Sequence, residues 1–199
     1  ISRSTCCSTT AEATTEASAV WPLTSAHCTT GSWRAAIPAT CSSASGSIRR
    51  FTVASATGPR RIAAADFFLG ELDTALEPGE LLQAVTFQRQ QDGERSVFLE
   101  LGNRRHGFAV VGLALRLAVQ ENRCTLARIA VMGGGATALR IPDAETVLIG
   151  STVDDTVIAA AAEALRAAVD PPQDVHADAE YRRHALGVLL ERALRSEAA

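Results

Sequence analysis

The chain has 199 residues, room for one sizeable domain or two small ones, and a formal net charge of −3. A protein that grips nucleic acid through its phosphates would gather basic residues on one face, and no apolar run approaches the roughly 20 residues that cross a bilayer. The first residues also lack the basic and apolar regions of a secretory signal, so the expectation is a soluble, cytoplasmic protein with no nucleic-acid partner and no integral membrane segment.

All 19 basic residues are Arg, and Ala is abundant, as in a GC-rich coding sequence. The first residue is Ile, which points to a fragment or an unusual start codon. Residues 1–50 differ from the rest: Ser, Thr, Ala and Cys dominate, Asp is absent, and both Trp fall here. No period of 3.6 or 2 persists, so no core-facing element is predicted. Three explanations compete: a disordered tail, a divergent folded segment, or a frame-shifted reading of a GC-rich gene. The Ser/Thr/Cys/Trp/Arg mixture favours the third. Cys6, Cys7, Cys28 and Cys41 lie in this segment without C-x-x-C or Cys/His ligand spacing, so no metal site is predicted.

From Phe51 the pattern becomes ordinary. "FTVAS", a "TGP" turn and "RRIA" read as a hairpin. "AADFFLG" reads as a short helix or turn closing at Gly70, and "EPGELLQAVTF" as a Pro-Gly turn with a strand ending near Phe87. After the polar connection "QRQQDGER" come the strand "SVFLEL", the long apolar run Phe108 to Val119, the turn "ENR" and the strand "CTLARIAVMG". The last two form an antiparallel pair by pattern. Cys124, alone in that strand, reads as a small packed hydrophobe.

Helices follow. "DAETVLIG" is short; "TVDDTVIAAAAEALRAAVD" is long, capped by Asp154 or Asp155 and stopped by Pro171 and Pro172. The last helix starts near Asp178. Strands followed by helices predict an α+β fold. At about 100° per residue, Tyr181, Ala185, Leu186, Val188, Leu189, Leu190 and Ala193 share an apolar arc that includes Arg182. A buried Arg needs a carboxylate or carbonyl partner, and the lead-in supplies Asp174 and Asp178.

The chemical motifs are sparse. "GGGA" at Gly133 to Ala136 is neither a dinucleotide fingerprint nor a P-loop, and reads as a strand exit where Gly relieves backbone crowding. His106, His176 and His184 have no metal-ligand spacing, and no Ser-His-Asp order is defensible. No catalytic residue is predicted.

Four segments together carry a family resemblance: "ADFFLGELDTALEPGELLQAVTF", "FLELGNRRHGFAVVGLAL", "CTLARIAVMGGGATALRI" and "DPPQDVHADAEYRRHALGVLLERAL". The last is the most specific. Over about residues 51–197 the chain resembles the FAD-binding (medium) subunit of molybdenum hydroxylases, the carbon monoxide dehydrogenase medium-chain type.

The resemblance implies a remnant of an α/β FAD-binding domain, followed by a small antiparallel sheet with packed C-terminal helices. Residues 1–50 would be the atypical segment, 51–90 the end of the FAD-binding domain, and 91–197 the C-terminal α+β domain. It implies FAD as cofactor, and two partners: a molybdenum-binding large subunit and an iron–sulfur small subunit, which hold the molybdenum cofactor and the iron–sulfur clusters. The protein would pass electrons between those clusters and an external acceptor, as an oxidoreductase subunit, with the substrate set by the molybdenum subunit. The family holds the flavin pyrophosphate with two Gly-rich loops, where backbone N–H groups approach phosphate closely. The first loop has no counterpart here, so FAD binding is expected to be impaired; a flavin-free subunit-interaction module is the alternative. Of the second, "TTGSWRAAIPA" keeps Gly31 and Ser32 as cofactor-binding candidates. Leu72 occupies a position that is often Tyr beside the flavin ring, and Arg104 lies on a loop that matches one near the flavin face.

Overall fold

A computed structural model describes residues 16–19, 48–70, 72–103 and 108–198. The fold is α+β, as the order of strands and helices predicts, and it divides into two compact units.

The first unit takes in residues 16–19, 48–67 and 76–89. Its strands are β1 (Glu16–Ala19), β2 (Ile48–Ser55), β3 (Gly58–Ala63) and β6 (Leu81–Gln88), in the antiparallel order β1-β6-β2-β3. β1 falls where the sequence shows no usable period; its pairing with β6, Glu16 opposite Gln88 through Ala19 opposite Val85, is a tertiary fact. The β2–β3 hairpin lies where alternation places it, with Phe51 opposite Ile62. Its turn needs Gly58, at φ +124°, and Ser55 Oγ donates to the Gly58 carbonyl. Phe51, Val53, Ile62 and Phe67 are buried, and the Phe51 and Phe67 rings stack at 3.8 Å. The Pro78-Gly79 turn is held by Arg60, whose Nε donates to Glu80 Oε1 at 2.5 Å. The Arg60 hydrogen bond, with the Glu77 backbone N–H, lowers the Glu80 carboxyl to about 2.

The second unit takes in residues 68–75 and everything described from 90 onward. A 3₁₀ turn over Ala64–Asp66 precedes β4 (Phe68–Gly70), which pairs with β5 (Asp73–Thr74). "FFLG" therefore enters a strand rather than closing a helix. A single turn gains one hydrogen bond for several fixed dihedrals, and here ladder pairing wins. The main sheet has the order β10-β9-β8-β7, all antiparallel: β7 (Glu94–Gly102), β8 (Ala109–Gln120), β9 (Arg123–Met132) and β10 (Leu139–Arg140). β8 and β9 join through Glu121 and Asn122, at φ +48° and +61°. Positive φ at both central residues fits a two-residue turn of the type whose twist matches the strands.

On β8, Val111, Leu113, Leu115 and Leu117 point to one face, and Ala127, Ile129 and Val131 of β9 continue it. Three helices complete the core: α1 (Pro142–Leu148) packs on β9, α3 (Ala179–Ala198) on β7 and β8, and α2 (Asp155–Ala168) against both helices. Asp154 is the N-cap of α2, accepting from the Val157 and Thr156 N–H groups; the Val157 N–H, the Thr152 hydroxyl and the Thr156 N–H hold its carboxyl below the usual range. Asp178 Oδ1 accepts from the Tyr181 N–H and starts α3. The buried stripe of α3 is Arg182, Ala185, Leu186, Leu189, Leu190, Ala193 and Leu194. Tyr181, placed on the apolar arc by the wheel, is exposed, and Leu194 takes the far end. The buried positions fall at i, i+3, i+4, i+7, i+8, i+11 and i+12 from Arg182, the broad stripe of a helix that faces a core. Among the described residues no helix is long and apolar enough to cross a membrane.

Cys124 is buried in β9, and its thiol donates to the Leu126 carbonyl. Burial raises its pKa. Alkylation of Cys124 in native protein, followed by peptide mass spectrometry, is expected to be slower by about two orders of magnitude or more than in denaturant.

Candidate functional site

Of the residues singled out as cofactor contacts, Leu72 is described; Gly31, Ser32 and Arg104 lie outside the described residues. Leu72 sits in the turn of the β4–β5 hairpin with φ +58° and is 84% exposed. A branched aliphatic residue gains nothing locally from the left-handed region or from water. Phe68 and Leu69 on the same hairpin are also exposed.

The lead-in to α3 forms a connected polar group in the second unit. Asp174 Oδ1 accepts from the His176 and Ala177 N–H groups at 2.8 and 3.1 Å, an Asx-type turn that holds its carboxyl below the usual range. Asp174 Oδ2 accepts from Arg182 Nη2 at 2.7 Å. Arg182 Nη1 donates to the carbonyl of Val110 on β8, and Asn103 Nδ2 donates to the His176 carbonyl at 3.1 Å. The apolar wheel predicts a partnered Arg182 because a guanidinium on that arc must be satisfied. Asp174 is the predicted acid; the carbonyl belongs to β8 rather than to the lead-in. His176 contributes its backbone N–H and carbonyl, His184 is exposed, and His106 lies outside the described residues. Among the described residues no cluster could hold a metal ion.

The Gly133–Gly135 stretch is the strand exit that its composition suggests. A methyl on Gly133 would overlap the Val110 carbonyl oxygen, and one on Gly134 would lie 3.1–3.2 Å from Val131, Val169 and Leu186. These glycines let β9 end against β8 and α3.

Sequence reasoning missed Glu145. It is a polar residue inside a short helix, with no pattern marking it as buried. Its carboxylate accepts from the Ile129 N–H at 2.9 Å, from Arg140 Nε at 2.9 Å and Nη2 at 2.6 Å, and from Arg128 Nη1 at 3.3 Å. Burial pushes its pKa up, but the Arg140 hydrogen bonds, the Ile129 N–H and the nearby Arg128 outweigh this and hold it below the usual carboxylate value. The signal, visible only afterwards, is that Arg128 and Arg140 lie on neighbouring strands (Arg140 opposite Ala130) beside the helix that carries Glu145. A second buried pair, Arg116 with Glu94, ties β8 to β7. These groups hold the fold.

Residues 96–196 match the family described as the CO dehydrogenase flavoprotein C-terminal domain. The chain belongs to this family. It is similar to the 6-hydroxypseudooxynicotine dehydrogenase complex subunit alpha of Paenarthrobacter nicotinovorans, 35% identical over 72% of this chain and 49% of that protein. It is also similar to the carbon monoxide dehydrogenase medium chain of Afipia carboxidovorans, 31% identical over 69% of this chain and 48% of that one. Among solved structures, quinoline 2-oxidoreductase from Pseudomonas putida 86 superposes with a TM-score of 0.71 at 29% identity, over 78% of this chain and 54% of that chain. Cu,Mo-CO dehydrogenase superposes equally well, at 0.71 and 29%, over 75% and 52%. The chain therefore spans about half the length of the curated relatives it matches. As a family member it is related to medium-chain flavoproteins of molybdenum hydroxylases, and the matched region is their C-terminal α+β domain.

Proposed function

We propose that this chain is a docking module of a molybdenum-hydroxylase flavoprotein subunit, which seats a molybdenum-binding large subunit and an iron–sulfur small subunit and does not hold FAD alone. The observation that carries this reading is the position of the family match: residues 96–196 correspond to the C-terminal domain of the flavoprotein. Gly31 and Ser32 keep only part of one pyrophosphate loop. A phosphate grip built from backbone N–H groups loses about 1 kcal/mol or more with each donor removed.

A flavin role survives at one place. The exposed Leu72 tip, in its left-handed conformation, suits an apolar wall against a flavin ring when the pyrophosphate is held elsewhere. Arg104 would then supply a cation near the ring. In such a complex the cofactor performs the redox chemistry, passing electrons from iron–sulfur clusters to an external acceptor; the protein orients and shields it. A cytoplasmic location accompanies this reading.

Co-expression with the neighbouring genes tests it. The chain is expected to co-purify with two further subunits in a complex that contains molybdenum and iron. Elution of the chain by itself, while the other two subunits assemble and turn over without it, would refute the docking role.

A further inference from the structure

The two edges of the main sheet are finished differently. On the β9 side the outward backbone groups are taken. The Cys124 N–H donates to the Ser151 carbonyl at 2.9 Å, and the Cys124 carbonyl accepts from the Gly150 N–H at 2.8 Å. The Ile129 N–H donates to Glu145, the Ile129 carbonyl accepts from the Ile141 N–H, and β10 covers the stretch beyond. β7 ends the sheet on the other side. It runs for nine residues, with its one irregularity at Leu101/Gly102. Among the described residues, nothing besides the ladder to β8 bonds the backbone of residues 96–101. An uncovered edge of this length, with neither Pro nor Lys, is a template for another strand.

The sequence of β7 suits a strand identical to itself. Two copies paired antiparallel meet about a two-fold axis, and opposite residues share a face. Centred on Phe98, the pairing sets Phe98 against its symmetry mate, Val97 against Leu99 and Ser96 against Glu100. Apolar meets apolar, and no like charges are opposed. A centre at Val97 would set Glu94 against Glu100, and a centre at Leu99 would set Phe98 against Glu100. Phe98 is 53% exposed and stands in a row with the exposed Ala114 and Ala130 on the next two strands. Pairing at Phe98 joins two such rows into one. On the other face Val97 and Leu99, partly buried at the flank of the core, gain cover.

We propose that a second copy of this chain docks along β7, antiparallel and centred on Phe98, so that two four-stranded sheets become one continuous sheet. The interface uses the second unit alone and needs no cofactor.

Sedimentation of the full chain over a concentration series tests the pairing. Wild type is expected to sediment as a dimer. Phe98→Lys opposes two cations across the axis and is expected to weaken the dimer about a hundredfold. Val175→Lys, at a 95% exposed position outside β7, is expected to leave it unchanged. Engineered cysteines read the register under mild oxidation, with disulfides mapped by peptide mass spectrometry. Phe98→Cys is expected to give a 98–98 disulfide. Glu100→Cys is expected to give no 100–100 disulfide, because those positions lie about 13 Å apart in this register. A wild-type monomer at every concentration overturns the interface, as does a dimer that Phe98→Lys leaves intact. A 100–100 disulfide without a 98–98 one overturns the register. If β7 amides are protected from hydrogen exchange only in a complex with other subunits, the edge takes a different strand and pairing with a second copy is overturned.

Discussion

Substituting Gly133 by Ala is expected to destabilise the second unit by roughly 3–8 kcal/mol, the sum of three effects at one position. The residue has φ +74°, which costs an L-residue roughly 1–2 kcal/mol. The methyl would overlap the Val110 carbonyl oxygen, a backbone atom that cannot swing aside as a side-chain end can; overpacking of this kind costs about 1–3 kcal/mol. Moving that carbonyl also withdraws an acceptor from the buried Arg182 guanidinium, at about 1–3 kcal/mol for an unsatisfied group. Gly150 separates the causes, because its φ is +83° with nothing within 4 Å of an added methyl. Gly150→Ala should therefore cost only the backbone part, roughly 1–2 kcal/mol. Denaturant melts of the two variants check the contrast; equal losses would show that crowding against β8 contributes nothing.

Glu145→Ala is expected to cost about 3 kcal/mol. The Arg partners are half exposed and return to water at little cost. The loss concentrates on the buried Ile129 N–H, left without its acceptor, at about 1–3 kcal/mol, and on the space vacated beneath α1. A drop of about 10 °C or more in Tm follows for a unit of this size. Glu145→Gln keeps an oxygen for Ile129 and should lose less. The same carboxylate gives a pH dependence whose sign follows from its depressed pKa. The folded protein keeps the proton off at a pH where the unfolded chain binds it. The Glu145 contribution is therefore full above the ordinary carboxylate pKa and is lost as pH falls through the lower folded value. Wild type should lose stability on acidification more steeply than Glu145→Ala; parallel curves would contradict this.

The legible and illegible parts of this protein divide along physical lines. β8 and β9 are readable because a long apolar run, an "ENR" turn and a second apolar strand are local signals, and α2 because an Asp cap and a Pro stop bracket an Ala-rich run. Arg182 was readable as a partnered group, since a guanidinium on a buried arc has few alternatives. Glu145 was not: its burial depends on Arg128, Arg140 and the Ile129 N–H converging from two strands, and no local period encodes that. β4 was missed because a three-residue strand exists only through its partner β5. Tyr181 is misplaced by the wheel because it lies just beyond the Ala185 edge of the buried arc, whose other edge extends to Leu194. Leu72 could be named from the family resemblance, but its left-handed backbone and exposure needed the fold. Gly31, Ser32 and Arg104 remain proposals carried by the family pattern alone.

The measurement closest to the central claim is the visible spectrum of the purified chain after incubation with FAD and desalting. A docking module that does not hold FAD by itself predicts a colourless protein with no flavin band. A stoichiometric flavin band carried by this chain alone would contradict it.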